Sequence, residues 1–130
     1  MRKFGEERVR NVTEESHWPT EIRLADEGRT LDVTFEGGAL YALPAEYLRV
    51  NSPSAEVQGH TAAQRVTVAG KRNVVIRKAE PVGNYAVRLV FDDGHDSGFY
   101  TWDYLFALGA EHERRWSAYL DELAAKNLRR

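Results

Sequence analysis

Residues 31–43 read Leu31-Asp32-Val33-Thr34-Phe35-Glu36-Gly37-Gly38-Ala39-Leu40-Tyr41-Ala42-Leu43, and this stretch decides the fold. Leu31, Val33 and Phe35 alternate with Asp32 and Thr34, the period of two that marks a strand with one buried face. Gly37-Gly38 is a hairpin signal, and residues 39–43 return as the next strand. Working backward, Ile22 and Leu24 alternate with Glu21, Arg23 and Ala25, and Asp26-Glu27-Gly28 makes a turn. A three-strand antiparallel meander is the simplest account. Working forward, Pro44 ends the third strand and can open a short helix at its first position, with Tyr47 and Leu48 facing inward.

The second half repeats the theme. Residues 51–63 are polar, hold Pro53 and Gly59, and form the longest expected loop inside the domain; loops on a rigid scaffold often carry function. Residues 74–80 read as a strand, Pro81-Val82-Gly83-Asn84 as a turn, and Tyr85, Val87, Leu89 and Phe91 as the buried side of another strand. Asp92-Asp93-Gly94-His95-Asp96-Ser97 is a hairpin loop, followed by a strand over 98–102. Residues 103–108 look like a short helix with Gly109 as its C-terminal stop. Over 110–128, Trp116, Tyr119, Leu120, Leu123, Ala124 and Leu128 share one helical stripe among charged neighbours. The expected fold is therefore α+β: two small antiparallel sheets packed together, a short helix after Pro44 and a C-terminal amphipathic helix. Residues 1–18, rich in alternating acids and bases, read as a flexible leader. The domain proper then spans 19–109, and 110–130 hold the amphipathic helix.

Composition narrows the function. The 130 residues suit one domain, and 42% hydrophobic with 29% charged residues is an ordinary globular balance. Eighteen Lys+Arg against twenty Asp+Glu leave a net charge of −2, which argues against a nucleic-acid partner. The absence of cysteine removes disulfide scaffolds, thiol catalysis, iron–sulfur ligation and Cys-based zinc fingers. Neither a secretory signal nor a long apolar run is present, so the sequence points to no membrane and to a cytoplasmic location. No phosphate-binding glycine loop, dinucleotide fingerprint or nucleophile elbow occurs.

Three separated blocks resemble a known family. They are Leu43-Pro44-x-x-Tyr47-Leu48-Arg49, Glu80-Pro81-Val82-Gly83-Asn84-Tyr85, and Phe91-x-Asp93-Gly94-His95-x-Ser97-Gly98-Phe99-Tyr100-x-Trp102-x-Tyr104-Leu105. In this order they are similar to the gamma-butyrobetaine hydroxylase-like N-terminal domain family, over roughly residues 20–109. The resemblance implies a domain of unknown function. Related domains precede the oxygenase domain of gamma-butyrobetaine and trimethyllysine hydroxylases, or are fused to P-loop ATPases of the iron–sulfur carrier type. In the hydroxylases three cysteines and the His of the Asp-Gly-His motif hold a structural zinc. The matching positions here are Ser52, Ser54 and Val57, with His95 retained. Neutral Ser is a poor zinc ligand and Val is none, so the zinc role does not carry over to His95. None of His17, His60, His95 or His112 opens the His-x-Asp/Glu pair of an iron(II) oxygenase. The resemblance thus implies the accessory module and not the enzyme.

Two polar clusters stand out. His95 lies between Asp93 and Asp96, where acids beside an imidazole can hold a divalent metal or raise the histidine pKa; the same residues can simply satisfy backbone groups in a turn. Glu56 and His60 form the second cluster. If the 51–63 loop folds over the 92–97 hairpin, His60, His95, Glu56 and Asp93 can make a small zinc or iron site, and otherwise the loop holds no ligand. Phe99, Tyr100, Trp102 and Tyr104 are a dense aromatic run in which alternation buries Tyr100 and Trp102. The first expectation is a non-catalytic, protein-interaction module with no cofactor. Its contact surface would comprise Arg49, Ser54, Glu56, His60, His95, Phe99, Tyr100 and Trp102. By family analogy its partner would be an oxygenase or an iron–sulfur carrier type protein. The second is a small metal-binding protein. A third is a homodimer through the 110–128 helix, which needs an apolar face wider than the sheet can cover.

Overall fold

Strands β1 (Pro19–Ala25), β2 (Thr30–Phe35) and β3 (Leu40–Pro44) form one antiparallel sheet in the order β1-β2-β3. Strands β4 (Ile76–Val82), β5 (Ala86–Phe91) and β6 (Gly98–Thr101) form a second, in the order β4-β5-β6. Among the described residues three α-helices complete the α+β fold: α1 (Ala45–Val50), α2 (Trp102–Ala110) and α3 (His112–Ala125). This computed structural model describes residues 17–54 and 67–130. The expected leader over 1–18 falls almost wholly outside them.

The registers follow from the apolar alternation. Leu31 pairs with Leu24 and Leu43, and Val33 with Ile22 and Tyr41, so one face of β2 meets apolar neighbours on both sides. That face, with Phe35, is buried together with Ile76, Val87, Leu89, Phe91 and Tyr100 of the second sheet. Tyr47 and Leu48 of α1 and Leu105 and Leu108 of α2 join the same core. Gly28 closes the β1–β2 turn at φ 89 and sits so near β4 that a Cβ there would collide with the Ile76 carbonyl oxygen. The residue both adopts a left-handed backbone and lets the two sheets meet.

Four tyrosine hydroxyls tie the helices to β6, to one another and to loops by donating to backbone carbonyls. Tyr100 donates to Leu48 O at 2.6 Å, Tyr47 to Leu108 O at 2.7 Å, Tyr104 to Asn51 O at 2.5 Å and Tyr119 to Val68 O at 2.7 Å. Each ring gains apolar burial while its polar tip finds a carbonyl acceptor. Burial pushes the Tyr47 and Tyr119 hydroxyls up to about 12, so both stay protonated donors.

Three local expectations are corrected. Gly109 does not stop a helix: α2 runs on to Ala110. The glycine is needed because a Cβ would strike the Tyr41 ring across the core. Pro81 lies inside β4, paired with Val87, and not in a turn; an edge strand tolerates the missing N–H. Tyr85 belongs to the turn, with its ring over Gly83, and is exposed rather than part of the buried row.

Candidate functional site

Four of the residues singled out by sequence, Arg49, Ser54, Asp93 and His95, meet at the seam between the end of α1 and the 92–97 hairpin. Pro44 opens α1 with extended backbone, and Ala45 N–H donates to Arg29 O at 2.7 Å. The helix ends at Val50, which delivers Asn51, Ser52 and Ser54 against β6. Gly98 makes that approach feasible, because a Cβ there would lie 2.7 Å from Ser52 Oγ. His95 is buried, and its Nε2 is 2.9 Å from Ser52 Oγ. Ser54 N–H donates to Ser52 Oγ at 3.3 Å, and Ser97 Oγ donates to Ser54 Oγ at 3.0 Å. Three hydroxyls and an imidazole thus make one polar chain between segments some forty residues apart, buried at Ser52, Ser54 and His95 and reaching the surface at Ser97.

A charged cluster closes the mouth of the seam. Asp93 Oδ2 accepts from Arg49 Nε at 2.8 Å and lies 2.6 Å from Lys71 Nζ, while Oδ1 accepts the His95 N–H at 3.1 Å. Burial alone raises the Asp93 pKa, but hydrogen bonds from Lys71, from the His95 backbone and from Arg49 outweigh it and hold the carboxyl at about 2. Asp93 is therefore a structural anion across the working pH range. Arg49 Nη1 is buried without a hydrogen-bond partner among the described residues. Nearby, Arg88 donates to Glu80 at 2.7 Å and to Asp96 O at 2.9 Å, pinning the far side of the hairpin.

The predicted residues separate into groups. His95, Ser54, Arg49 and Asp93 come together, all held by one another or by neighbours in the seam. Tyr100 is fully buried with its hydroxyl on Leu48, so its place in a contact surface is corrected: it is core. Trp102 is half-buried and donates from Nε1 to Asn84 O at 2.8 Å. Phe99 points outward from β6, 45% exposed, opposite Arg88 of β5. Glu56 and His60 lie outside the described residues, as does the approach of His60 to His95. Two residues that the reading of the sequence missed are Trp18 and Tyr85, 46% and 53% exposed. With Trp102 and Asp103 they line one open cleft of about 340 Å³. The turn at Gly83-Asn84 and the family block that ends in Tyr85 were the signals for that residue; Trp18 carried none beyond Pro19 beside it.

The family's zinc does not fit these residues. At two of the cysteine positions stand Ser52 and Ser54, whose hydroxyls already bond His95 Nε2 and Ser97, and neutral hydroxyls do not make a thiolate tetrahedron. Among the described residues no group of three or more His, Asp or Glu is placed to hold a metal ion. Among the same residues no helix is long and apolar enough to cross a membrane.

Comparison with known proteins agrees with the fold. Residues 22–106 match the family described as gamma-butyrobetaine hydroxylase-like, N-terminal. A protein whose solution structure was determined by NMR is 47% identical, with a TM-score of 0.75, covering 88% of this chain and 90% of its own. A second NMR structure is 42% identical, with a TM-score of 0.77, covering 94% and 91%. A crystal structure from Acidithiobacillus ferrooxidans ATCC 23270, of a protein with unknown function in the DUF971 family, is 40% identical, with a TM-score of 0.59, covering 72% of this chain and 93% of its own. No curated protein matches. With 85 consecutive residues matched and the solved relatives sharing its fold, the chain belongs to the gamma-butyrobetaine hydroxylase-like, N-terminal family.

Proposed function

We propose that this chain is a non-catalytic accessory domain that docks on a protein partner through the aromatic edge around β6 and the β4–β5 turn. The observation that carries the reading is the grouping of Trp18, Tyr85 and Trp102 around one open cleft, with Phe99 exposed on the adjoining strand. Large aromatics with one apolar face and a fixed backbone anchor are the residues most enriched at interface hot spots. The seam beneath supports this use. Its one strong acid is locked in ion pairs and its histidine is spent on Ser52, so the polar groups hold the hairpin in place rather than offer a base. Family analogy nominates an oxygenase or an iron–sulfur carrier type protein as the partner. The test is binding of the purified chain to each class, with a Tyr85→Ser/Phe99→Ser variant beside it. The reading expects one class to bind and the variant to lose tenfold or more in affinity, roughly 1.4 kcal/mol. Equal binding by the variant would overturn it.

A second reading, a metal site using His60, Glu56 and His95, rests on one observation. His95 bonds Ser52, which also accepts from Ser54, the residue just before the segment that carries Glu56 and His60. Asp93 joins such a site only by leaving Arg49 and Lys71. Zinc or iron content of untagged protein, wild type against His95→Ala, decides it.

A further inference from the structure

We propose that the outer flank of α3 is a homodimer interface, in which two copies pack their α3 helices antiparallel about Leu120. The starting observation is an apolar stripe wider than the core can use. Tyr119 and Leu123 are buried, whereas Leu120 and Leu128 stay 39% and 40% exposed and Ala124 is exposed beside them. At 3.6 residues per turn, Glu113, Ser117, Leu120 and Ala124 fall within an arc of about 60°. Two shallow grooves run along this flank and share Leu120 as their common wall.

The helix end extends the ridge. Asn127 takes a left-handed conformation at φ 61, Leu128 N–H donates to Leu123 O at 2.8 Å, and Asn127 N–H donates to Ala124 O at 3.2 Å. These are the two bonds of a Schellman cap, which folds the next apolar residue back over the last turn. Leu128 is therefore held in line with Leu120 and not left trailing.

Charge and shape select the occupant. Glu113 stands at one end of the flank, and Arg72 and Arg129 at the other. None of the three has an ion-pair partner among the described residues, whereas neighbouring Arg130 is spent on Glu46 at 2.7 Å and lies over the Trp116 ring. A surface acidic at one end and basic at the other is complementary to its own antiparallel copy. With the two-fold axis at Leu120, residues equally far from it along the chain face each other. Trp116 then meets Ala124, large against small, and Glu113 faces Asn127 in the cap, two residues short of Arg129. A parallel pair would set like charges together. The inference stands apart from the aromatic edge, which uses other elements.

A 14-residue helix is only ~21 Å long, so the contact sits at the small end of specific interfaces and dissociates on dilution. Sedimentation velocity of the full chain from about 10 µM to about 1 mM reads it directly. The weight-average mass should climb from 14.8 kDa toward twice that value. Leu120→Glu should hold it at the monomer, with helicity by circular dichroism unchanged. Glu113→Arg or Arg129→Glu should each weaken dimerisation roughly tenfold, and the double reversal should restore it. Glu113 and Arg129 are exposed, so these variants report even if Leu120→Glu folds poorly. A monomer at the highest concentration, or a dimer indifferent to both kinds of change, would overturn the proposal.

Discussion

Asp93→Asn tests the seam most sharply, because asparagine imitates the protonated acid and removes only its charge. Asp93 is held at about 2 in the folded chain against an ordinary 3.8. A depressed carboxyl pKa contributes stability that is complete above the unfolded value and is lost as pH falls through the folded one. The difference of nearly two pH units corresponds to about 2 kcal/mol at pH 7, since each unit is worth about 1.4 kcal/mol. Roughly half of that should remain at pH 3, where the folded acid is still ionised and the unfolded one is mostly protonated. Only 18% of the Asp93 side chain is exposed, so solvent screens the pairs with Arg49 and Lys71 far less than surface pairs. The assay is urea unfolding of wild type and Asp93→Asn at intervals between pH 7 and pH 3. The stability gap should open at about 2 kcal/mol and narrow over the last unit. A gap below ~0.5 kcal/mol at pH 7, or one that does not change with pH, would refute the reasoning.

Other perturbations report on separate parts of the account. Gly28→Ala forces a Cβ against the Ile76 carbonyl at a left-handed φ, and should cost about 3 kcal/mol or more in urea unfolding; a near-neutral result would mean the sheets meet differently. Tyr100→Phe leaves the Leu48 carbonyl unpaired in the core and should cost about 1–2 kcal/mol, with the apolar packing kept. The melting temperature should not change on adding a chelator, because Ser52, Ser54 and Ser97 close the seam by hydrogen bonds; a fall would favour the site using Glu56 and His60.

How much of this was legible in the sequence depends on distance along the chain. The meander around Gly37-Gly38 and the buried row Val87, Leu89 and Phe91 are written in period-2 alternation, which is local. So is α1, announced by Pro44. Gly109 reads locally as a helix stop, and only the Tyr41 ring across the core shows that it is a point of close approach. Pro81 reads as a turn until the edge position of β4 is known. The seam was half legible. The family motif brought Ser52, Ser54 and His95 together in outline, but nothing in the sequence announced that Asp93 is gripped by Arg49 and Lys71. Nor could alternation reveal that Trp18, nearly 70 residues from Tyr85, shares a cleft with it.

Site-specific photocrosslinking inside the source cell tests the central claim, a partner held at the aromatic edge, most directly. A benzophenone side chain would replace Phe99, Tyr85 or, on the outer face of the first sheet, Glu21. The account predicts an adduct of one defined mass from positions 99 and 85 and none from 21. Adducts of equal yield from all three positions, or none from the aromatic edge, would contradict it.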